Sequence, residues 1–149
     1  MNFDLAQIQF RDFSMDDYDA VVSLWTLSGL PIKDKGRDRY EKIQEELKRG
    51  IAHFILAEFE SKLVGVVLIT HDGRKGWINR LSVHPDFRRK GLARFIIEKA
   101  EEYLHGIGIE IIACLIENYN KESFETFQKL GYIEFKNMHY LTKKKHPGA

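Results

Sequence analysis

The chain has 149 residues, of which 44% are hydrophobic and 30% charged, with a net charge of +1 at pH 7. That length suits one globular domain with a single core, and a charge near zero argues against nucleic acid or an anionic membrane as the partner. No apolar run approaches the roughly 20 residues that span a bilayer, and the N-terminal sequence shows no signal peptide.

Cysteine and histidine usage narrows the chemistry further. The single Cys114 excludes an internal disulfide and suits a reducing cytoplasm. The six histidines are scattered without metal-ligand spacing, so no metal is expected.

The first third of the chain predicts one strand and two helices. Residues 7–13 alternate as a strand does, and Ser14 with Asp17 three residues later predicts a capping box at the start of a helix. That helix ends before the Gly-Leu-Pro of residues 29–31, and a second helix is predicted over 40–50. The segment between the helices is interpreted as a plain connector, with a lid as the alternative.

Three strands are predicted next. Residues 53–59 and 63–70 form a hairpin closed by 60–62, and Gly65 inside the second strand indicates a bulge. The third strand is the apolar run 78–83. The sheet is expected to be antiparallel up to this point.

The third strand leads into the turn around which the chain is organised. It ends at His84-Pro85, because proline cannot donate to a strand ladder. A basic turn at 88–93 and an amphipathic helix over 92–104 follow. The first amides of a helix have no partner inside it, so this arrangement can hold a pyrophosphate. Gly91 would let the backbone approach a ligand, and the small Ala93 would keep the mouth open. The alternative is a solvated basic turn that caps the helix.

The last third predicts a buried strand, a helix and two closing strands. The apolar run 109–116 is typical of a strand buried on both faces, and with the preceding strand and helix it makes a right-handed parallel crossover. A helix with Phe124, Phe127 and Leu130 inward ends at Gly131. Closing strands are predicted at 132–135 and 138–142.

These elements predict one α/β domain over 1–149, with the basic tail 143–149 frayed. The sheet is mixed but mostly antiparallel, and the element order is β-α-α-β-β-β-α-β-α-β-β.

Two motifs in this element order carry a resemblance. The turn at 88–93 fits Arg/Gln-x-x-Gly-x-Gly/Ala after a strand. The pattern Asn-x-x-Ala-x-x-aliphatic-Tyr-x-Lys-x-Gly-Phe falls on the last helix at Asn120, Ser123, Thr126, Phe127, Lys129, Gly131 and Tyr132. On these residues the chain resembles the GNAT family of N-acetyltransferases over nearly its whole length.

The resemblance implies a GNAT-like domain that transfers an acetyl group from acetyl-CoA, its cosubstrate, to a primary amine by direct attack, without a metal. The parallel crossover would lie at the coenzyme site, where the pantetheine arm runs between the fourth and fifth strands. The implied coenzyme contacts are Leu81, Ser82, Val83, Arg88, Arg89, Lys90, Gly91, Leu92, Ala93, Asn120, Phe127 and Lys129.

The implied catalytic groups begin with Val83, whose main-chain N–H would stabilise the oxyanion, an effect of about 3–4 kcal/mol where measured. The family's usual acid, a tyrosine, falls on Phe127, which has no proton to give and whose simpler interpretation is a core aromatic facing inward. The CoA thiolate then leaves without help, or Tyr119 substitutes.

The family's usual strand-four carboxylate is also missing, because Asn79 and Arg80 occupy those positions. Asn79 could position a water, and Arg80 could face an anionic substrate group or lie at the sheet surface. Glu117 is the nearby carboxylate and could be a base acting directly or through one water, or a surface charge.

The alternative function is a non-catalytic acyl-CoA-binding sensor or regulatory module, because the usual acid and base are absent. The basic residues 88–90 and 143–145 would suit nucleic acid, yet the near-neutral chain argues against it. The expected partner is therefore an amine acceptor, small molecule or protein, with no nucleic acid and no membrane. The expected location is cytoplasmic, and a homodimer is allowed because family members often dimerise.

Overall fold

The computed structural model describes residues 2–149 and is built on a five-stranded sheet in the order β1-β2-β3-β4-β5. Neighbouring strands from β1 to β4 are antiparallel, and β5 runs parallel to β4. The predicted mixed sheet with a parallel β-α-β crossover is confirmed. The strands are β1 Gln9–Asp12, β2 Ala52–Phe59, β3 Lys62–His71, β4 Lys75–Val83 and β5 Ile111–Ala113, and the helices are α1 Tyr18–Leu27, α2 Tyr40–Lys48, α3 Leu92–Gly106 and α4 Lys121–Lys129.

Helices cover both faces of the sheet. Apolar side chains of α3, including Ile96 and Leu104, pack on one face against β3 and β4. On the other face Trp25 of α1 and Ile43 of α2 pack against Phe54 of β2 and its neighbours. The two apolar faces of the sheet explain why the strands β2 and β3 contain long apolar runs.

The hairpin and the capping box form as predicted. Glu60 and Ser61 turn the chain between β2 and β3 with positive φ angles of 49° and 64°. The β2–β3 register shifts next to Gly65, which confirms the bulge. The Ser14 amide donates to Oδ2 of Asp17 over 2.9 Å, three residues along.

Asp17 also joins the start of α1 to the sheet edge. The Arg11 guanidinium donates to both of its carboxylate oxygens over 2.8 Å, and this hydrogen bonding lowers the pKa of Asp17 from 3.8 to about 2. A carboxyl whose folded pKa is depressed stabilises the fold above its unfolded pKa, and the stabilisation is lost as the pH falls from about 4 towards 2.

We expect Asp17→Asn to lower the free energy of unfolding at pH 7 by about 1 kcal/mol, a discounted value because the Arg11 side chain is 43% exposed. Between pH 4 and pH 2 the free energy of unfolding of the variant should also fall less than that of wild type. Urea unfolding at several pH values measures both effects, with the exposed neighbour Asp16→Asn as control. A pH dependence identical to wild type in Asp17→Asn would contradict the assignment.

Two predictions for the C-terminal third are wrong. The strand predicted over 109–116 is limited to Ile111–Ala113, and Ile111 and Leu115 are each more than half exposed. Residues 132–135 and 138–142 form neither helix nor strand. Within residues 2–149, β5 pairs with β4 alone, and the following helix α4 packs in the same core as α3. One face of the apolar run therefore has no cover and one edge has no partner.

The end of the chain is mostly exposed from 143 to 147. The carbonyl of Gly148 lies against Gly36, in the connector between α1 and α2. Among residues 2–149 no helix has both the length and the apolar character needed to cross a membrane.

Candidate active site

The sheet opens between β4 and β5. The two strands pair only where Lys75–Trp77 meets Ile111–Ala113. Beyond that point residues 78–83 of β4 have β3 on one side and, within the described chain, no strand on the other. We call this open edge the β4 gap. It leaves main-chain donors and acceptors of a central strand available to a ligand.

The main chain of Val83 faces the β4 gap. The amide of His84 donates to the carbonyl of Val64 over 2.8 Å. Because hydrogen-bonded and non-hydrogen-bonded pairs alternate along an antiparallel ladder, the next pair, Gly65 and Val83, is a non-hydrogen-bonded one. The N–H of Val83 therefore points away from β3 and into the gap.

A bulge in β4, not predicted from the sequence, adjoins the gap. The β3–β4 register passes from Val66–Ser82 to Leu68–Asn79, so that Arg80 and the residue after it face a single position of β3. Arg80 has a positive φ of 48°, although it is not glycine. No glycine or proline marks the bulge in the sequence, which is why it was missed.

Asn79 and Ser82 flank the bulge with polar side chains. Asn79 donates from Nδ2 to Oγ1 of Thr70 over 2.9 Å. Ser82 is buried, and its hydroxyl has no hydrogen-bond partner within the described chain. Its cross-strand partner Val66 belongs to the core under α1, so Ser82 faces the α1 side of the sheet.

The basic turn folds back onto the end of β4. Gly91 has a φ of +84° and is the N-cap of α3, whose first helical hydrogen bond runs from the amide of Phe95 to the carbonyl of Gly91 over 3.1 Å. The amides before Phe95 have no partner inside the helix. Arg88 donates from Nε to the carbonyl of Val83 over 3.2 Å, which joins the turn to the β4 gap. The turn, the helix start and the gap are thus contiguous.

A cavity of about 480 Å³ lies beside this turn. It joins Arg89 of the turn to one face of α4, and its lining residues are Arg89, Lys121, Glu122, Glu125, Thr126 and Lys129. Two predicted coenzyme contacts, Arg89 and Lys129, thus line a single cavity. Lys121 also lines this cavity and was missed, because it falls between the motif positions and no spacing in the sequence marks it.

Several predicted coenzyme contacts use their side chains elsewhere. Leu92 is buried, so only its main chain can face a ligand, whereas Leu81 and Ala93 pack part of their side chains against the α3 core. Asn120 caps α4 by accepting from the amide of Ser123 over 3.3 Å, which leaves its Nδ2 group available. Lys90 places Nζ 5.7 Å from the centre of the Phe3 ring.

Phe127 is a core residue in this structure. Its side chain is 5% exposed and meets the Tyr132 ring edge-on at 4.9 Å between ring centres. The Tyr132 hydroxyl donates to Oε2 of Glu101 over 3.0 Å, and burial raises the pKa of Tyr132 well above its usual range. This phenol stays protonated at neutral pH and anchors the ring that Phe127 packs against.

The remaining candidate catalytic side chains lie in the segment between β5 and α4. Glu117 and Tyr119 are both exposed there, apart from the strand that carries Val83 and Asn79. Cys114 in the same segment is half-buried, and burial raises the pKa of its thiol to about 11. The thiol is therefore protonated at neutral pH and is no nucleophile. Among residues 2–149 no cluster of three or more His, Cys, Asp or Glu could hold a metal.

Comparison with known proteins agrees with this geometry. The sequence matches the Acetyltransferase (GNAT) family over residues 10–132. An acetyltransferase of Pectobacterium atrosepticum is 32% identical over 127 residues, which are 84% of this chain and 87% of that protein.

Solved structures share the fold. An acetyltransferase of Clostridium acetobutylicum with acetyl-CoA has a TM-score of 0.75 at 16% identity, covering 91% of this chain and 96% of that one. The PaiA N-acetyltransferase of Thermoplasma acidophilum in complex with coenzyme A has a TM-score of 0.70 at 20% identity, covering 83% and 88%.

This α/β domain combines an open edge on a central strand with a glycine turn and a helix start, and it shares its fold with acetyltransferases that hold acetyl-CoA or coenzyme A. This chain belongs to the GNAT acetyltransferase family. Membership of this family, together with structures of similar fold that hold acetyl-CoA or coenzyme A, supports the conclusion that the protein is an acetyltransferase that uses acetyl-CoA.

Proposed function

We propose that the protein is an N-acetyltransferase that moves the acetyl group of acetyl-CoA to a primary amine by direct attack. The observation that carries the proposal is the β4 gap, where the Val83 N–H points into the opening and the Gly91 turn closes its end. The PaiA protein, which shares this fold, is named an N-acetyltransferase, and that name supports an amine as the acceptor.

In this proposal the coenzyme lies along the gap and over the turn. The free amides of the turn and of the first turn of α3 bind the pyrophosphate, because glycine leaves room and the helix start is electropositive. The pantetheine arm pairs with the main chain of 81–83. The cations Arg89 and Lys129 in the adjoining cavity hold the 3′-phosphate.

The proposed reaction then requires few side-chain groups. The amine lone pair attacks the thioester carbon, and the Val83 N–H donates to the developing oxyanion. The C–S bond breaks, CoA leaves as a thiolate, and the amine proton passes to water that Asn79 or Glu117 positions. The buried hydrocarbon of Phe127 supplies no proton, so the thiolate leaves unaided or with Tyr119. Holding the two reactants in place supplies most of the acceleration.

The direct test is turnover of acetyl-CoA with an amine panel of spermidine, L-lysine, kanamycin and an alanine-terminated peptide. Release of the CoA thiol, with mass spectrometry of the product, should show amine-dependent acetyl transfer above the rate without amine. Tight binding of acetyl-CoA with no transfer to any amine would instead favour an acyl-CoA-binding sensor. A cytoplasmic location belongs to the proposal and is supported by the lone cysteine.

The cavity allows a sharper prediction about the coenzyme. We expect the double variant Arg89→Ala/Lys129→Ala to bind CoA about tenfold more weakly, close to 1.4 kcal/mol, with little change for 3′-dephospho-CoA. Calorimetric titration with both ligands measures this, and the exposed Lys136→Ala serves as control. An equal loss of affinity for the two ligands would indicate that these cations contact the pyrophosphate instead. Unchanged affinity for both ligands would show that the cavity is not part of the coenzyme site.

A further inference from the structure

Arg80 on the β4 bulge connects the sheet to the segment between α1 and α2. Its side chain is only 11% exposed. One guanidinium nitrogen, Nη2, donates to the carbonyl of Pro31 over 2.7 Å and lies 3.5 Å from Oδ2 of Asp38. The guanidinium also stacks over Trp25 of α1, with Cζ 4.3 Å from the ring centre. All three partners belong to α1 or to the connector, residues 28–39, and none to the sheet.

Asp38 is the fixed point of this connector. It is buried, and its Oδ2 accepts a hydrogen bond from the amide of Lys33 over 2.7 Å. Its carbonyl accepts from the Tyr18 hydroxyl over 2.8 Å. Asp38 therefore closes the loop 33–38 on itself and ties it to α1. A buried carboxylate needs a charged partner, and among residues 2–149 Arg80 forms the ion pair with it.

The backbone of Arg80 supports a functional reading of this contact. A side chain with a Cβ is sterically disfavoured at a φ of +48°. Strained residues of this kind persist where the surroundings hold them, and they concentrate at functional sites. Here the strain lies next to the β4 gap, and the Arg80 side chain points towards Trp25 and the connector.

Unsatisfied polar atoms gather in the same place. Four buried side-chain atoms in the described chain have no hydrogen-bond partner, namely Trp25 Nε1, Ser28 Oγ, Arg80 Nε and Ser82 Oγ. All four belong to the C-terminal end of α1 or to the bulged part of β4. Buried polar groups nearly always form hydrogen bonds, so an interface between α1 and β4 that leaves four of them without a partner is unlike ordinary core packing.

We propose that Arg80 is a positioning residue for the acceptor site. Through its contacts with Asp38, Pro31 and Trp25 it holds residues 31–38 of the connector beside the β4 bulge, where they form a wall of that site. This rests on the proposed function, because it assigns the acceptor to the α1 side of β4 and the coenzyme to the gap. Arg80 does not touch the reacting atoms. Its loss should therefore act on the use of the amine and leave acetyl-CoA binding alone.

The test compares Arg80→Ala, Arg80→Lys and Asp38→Asn with wild type, using each panel amine that wild type acetylates. For Arg80→Ala we expect kcat/KM for the amine to fall at least tenfold, while acetyl-CoA affinity and the amine-independent hydrolysis of acetyl-CoA stay within twofold. Arg80→Lys keeps the charge and should recover part of the loss. The exposed Arg74→Ala, in the turn before β4, is the control and should match wild type.

A double-mutant cycle separates the pair from two independent effects. If Arg80 acts through Asp38, the Arg80→Ala/Asp38→Asn variant should lose little more than the worse single variant. Thermal unfolding shows which variants are folded, and Asp38→Asn, which keeps the size of the side chain, carries the test if Arg80→Ala does not fold. Folded Arg80→Ala and Asp38→Asn proteins with wild-type kcat/KM would overturn the inference.

A second readout needs no acceptor. Hydrogen exchange of the free protein should be faster at amides 32–38 in Arg80→Ala than in wild type, and unchanged in Arg74→Ala. Unchanged exchange in Arg80→Ala would overturn the inference even if the wild type acetylates no amine of the panel. If wild type acetylates no amine of the panel but exchange at the connector is faster in Arg80→Ala, the proposed function is contradicted and the positioning role of Arg80 is not.

Discussion

Gly91→Val is expected to weaken acetyl-CoA binding at least about tenfold, or about 1.4 kcal/mol. Gly91 has a φ of +84° at the start of α3, where the proposed site needs main-chain amides to reach a pyrophosphate. A valine there forces the turn out of its left-handed conformation and places a branched side chain at the mouth. Even the first added carbon would lie 3.3 Å from Cδ1 of Leu5. Calorimetric titration with acetyl-CoA measures the change.

The matched control is Gly73→Val. Gly73 has the same φ of +84°, lies in the turn between β3 and β4, and has no heavy atom within 4 Å of an added Cβ. Both variants pay a similar conformational cost in stability, about 1–2 kcal/mol. Only Gly91→Val should lose the coenzyme. If both variants bind acetyl-CoA as wild type does, the turn is a helix cap and the functional proposal loses its main support.

Phe127→Ala is expected to lower the free energy of unfolding by about 3–5 kcal/mol, the range for a buried phenylalanine. Its ring is 5% exposed, packs in the α3 core and meets Tyr132, which is itself anchored to Glu101. Removing the ring leaves a cavity between α3 and α4 that this anchored neighbour cannot easily fill. Urea unfolding at low temperature gives the value.

Phe135→Ala is the control, because that ring is 74% exposed and its removal should change stability by less than about 0.5 kcal/mol. Phe127→Leu should remain folded and bind acetyl-CoA within about twofold of wild type, since a core residue can be replaced by a hydrophobic side chain of similar size. A stable Phe127→Leu protein that loses acetyl-CoA affinity would instead make the ring a coenzyme contact.

Local sequence chemistry determined most of the elements up to α4. The Ser14–Asp17 capping box, the hairpin turn, the glycine before α3 and the apolar faces of α3 and α4 depend on residues a few positions apart. Such interactions form between neighbours along the chain, so the sequence predicts them directly. The same locality explains why the turn at 88–93 and the motif on α4 carry the family resemblance in the sequence alone.

Only the tertiary structure decided the extent of β5 and the state of the segment after α4. The run 109–116 is apolar enough for a buried strand, yet a strand also needs a paired edge and covered faces, which distant elements supply. Within residues 2–149 β5 receives one partner strand, and three residues of it pair. Alternating apolar residues in 132–142 predict strands equally well, but in the described part of the chain they pair with no sheet edge.

The tertiary structure also decided the role of Arg80. In the sequence this residue is one charge in an apolar strand, with an anionic substrate group and the sheet surface as equal alternatives. The bulge that turns it towards Trp25 arises from the register of β4 against β3, and Asp38 reaches it from 42 positions away. Strand register and long-range ion pairs depend on how the whole chain packs, which no short window of sequence contains.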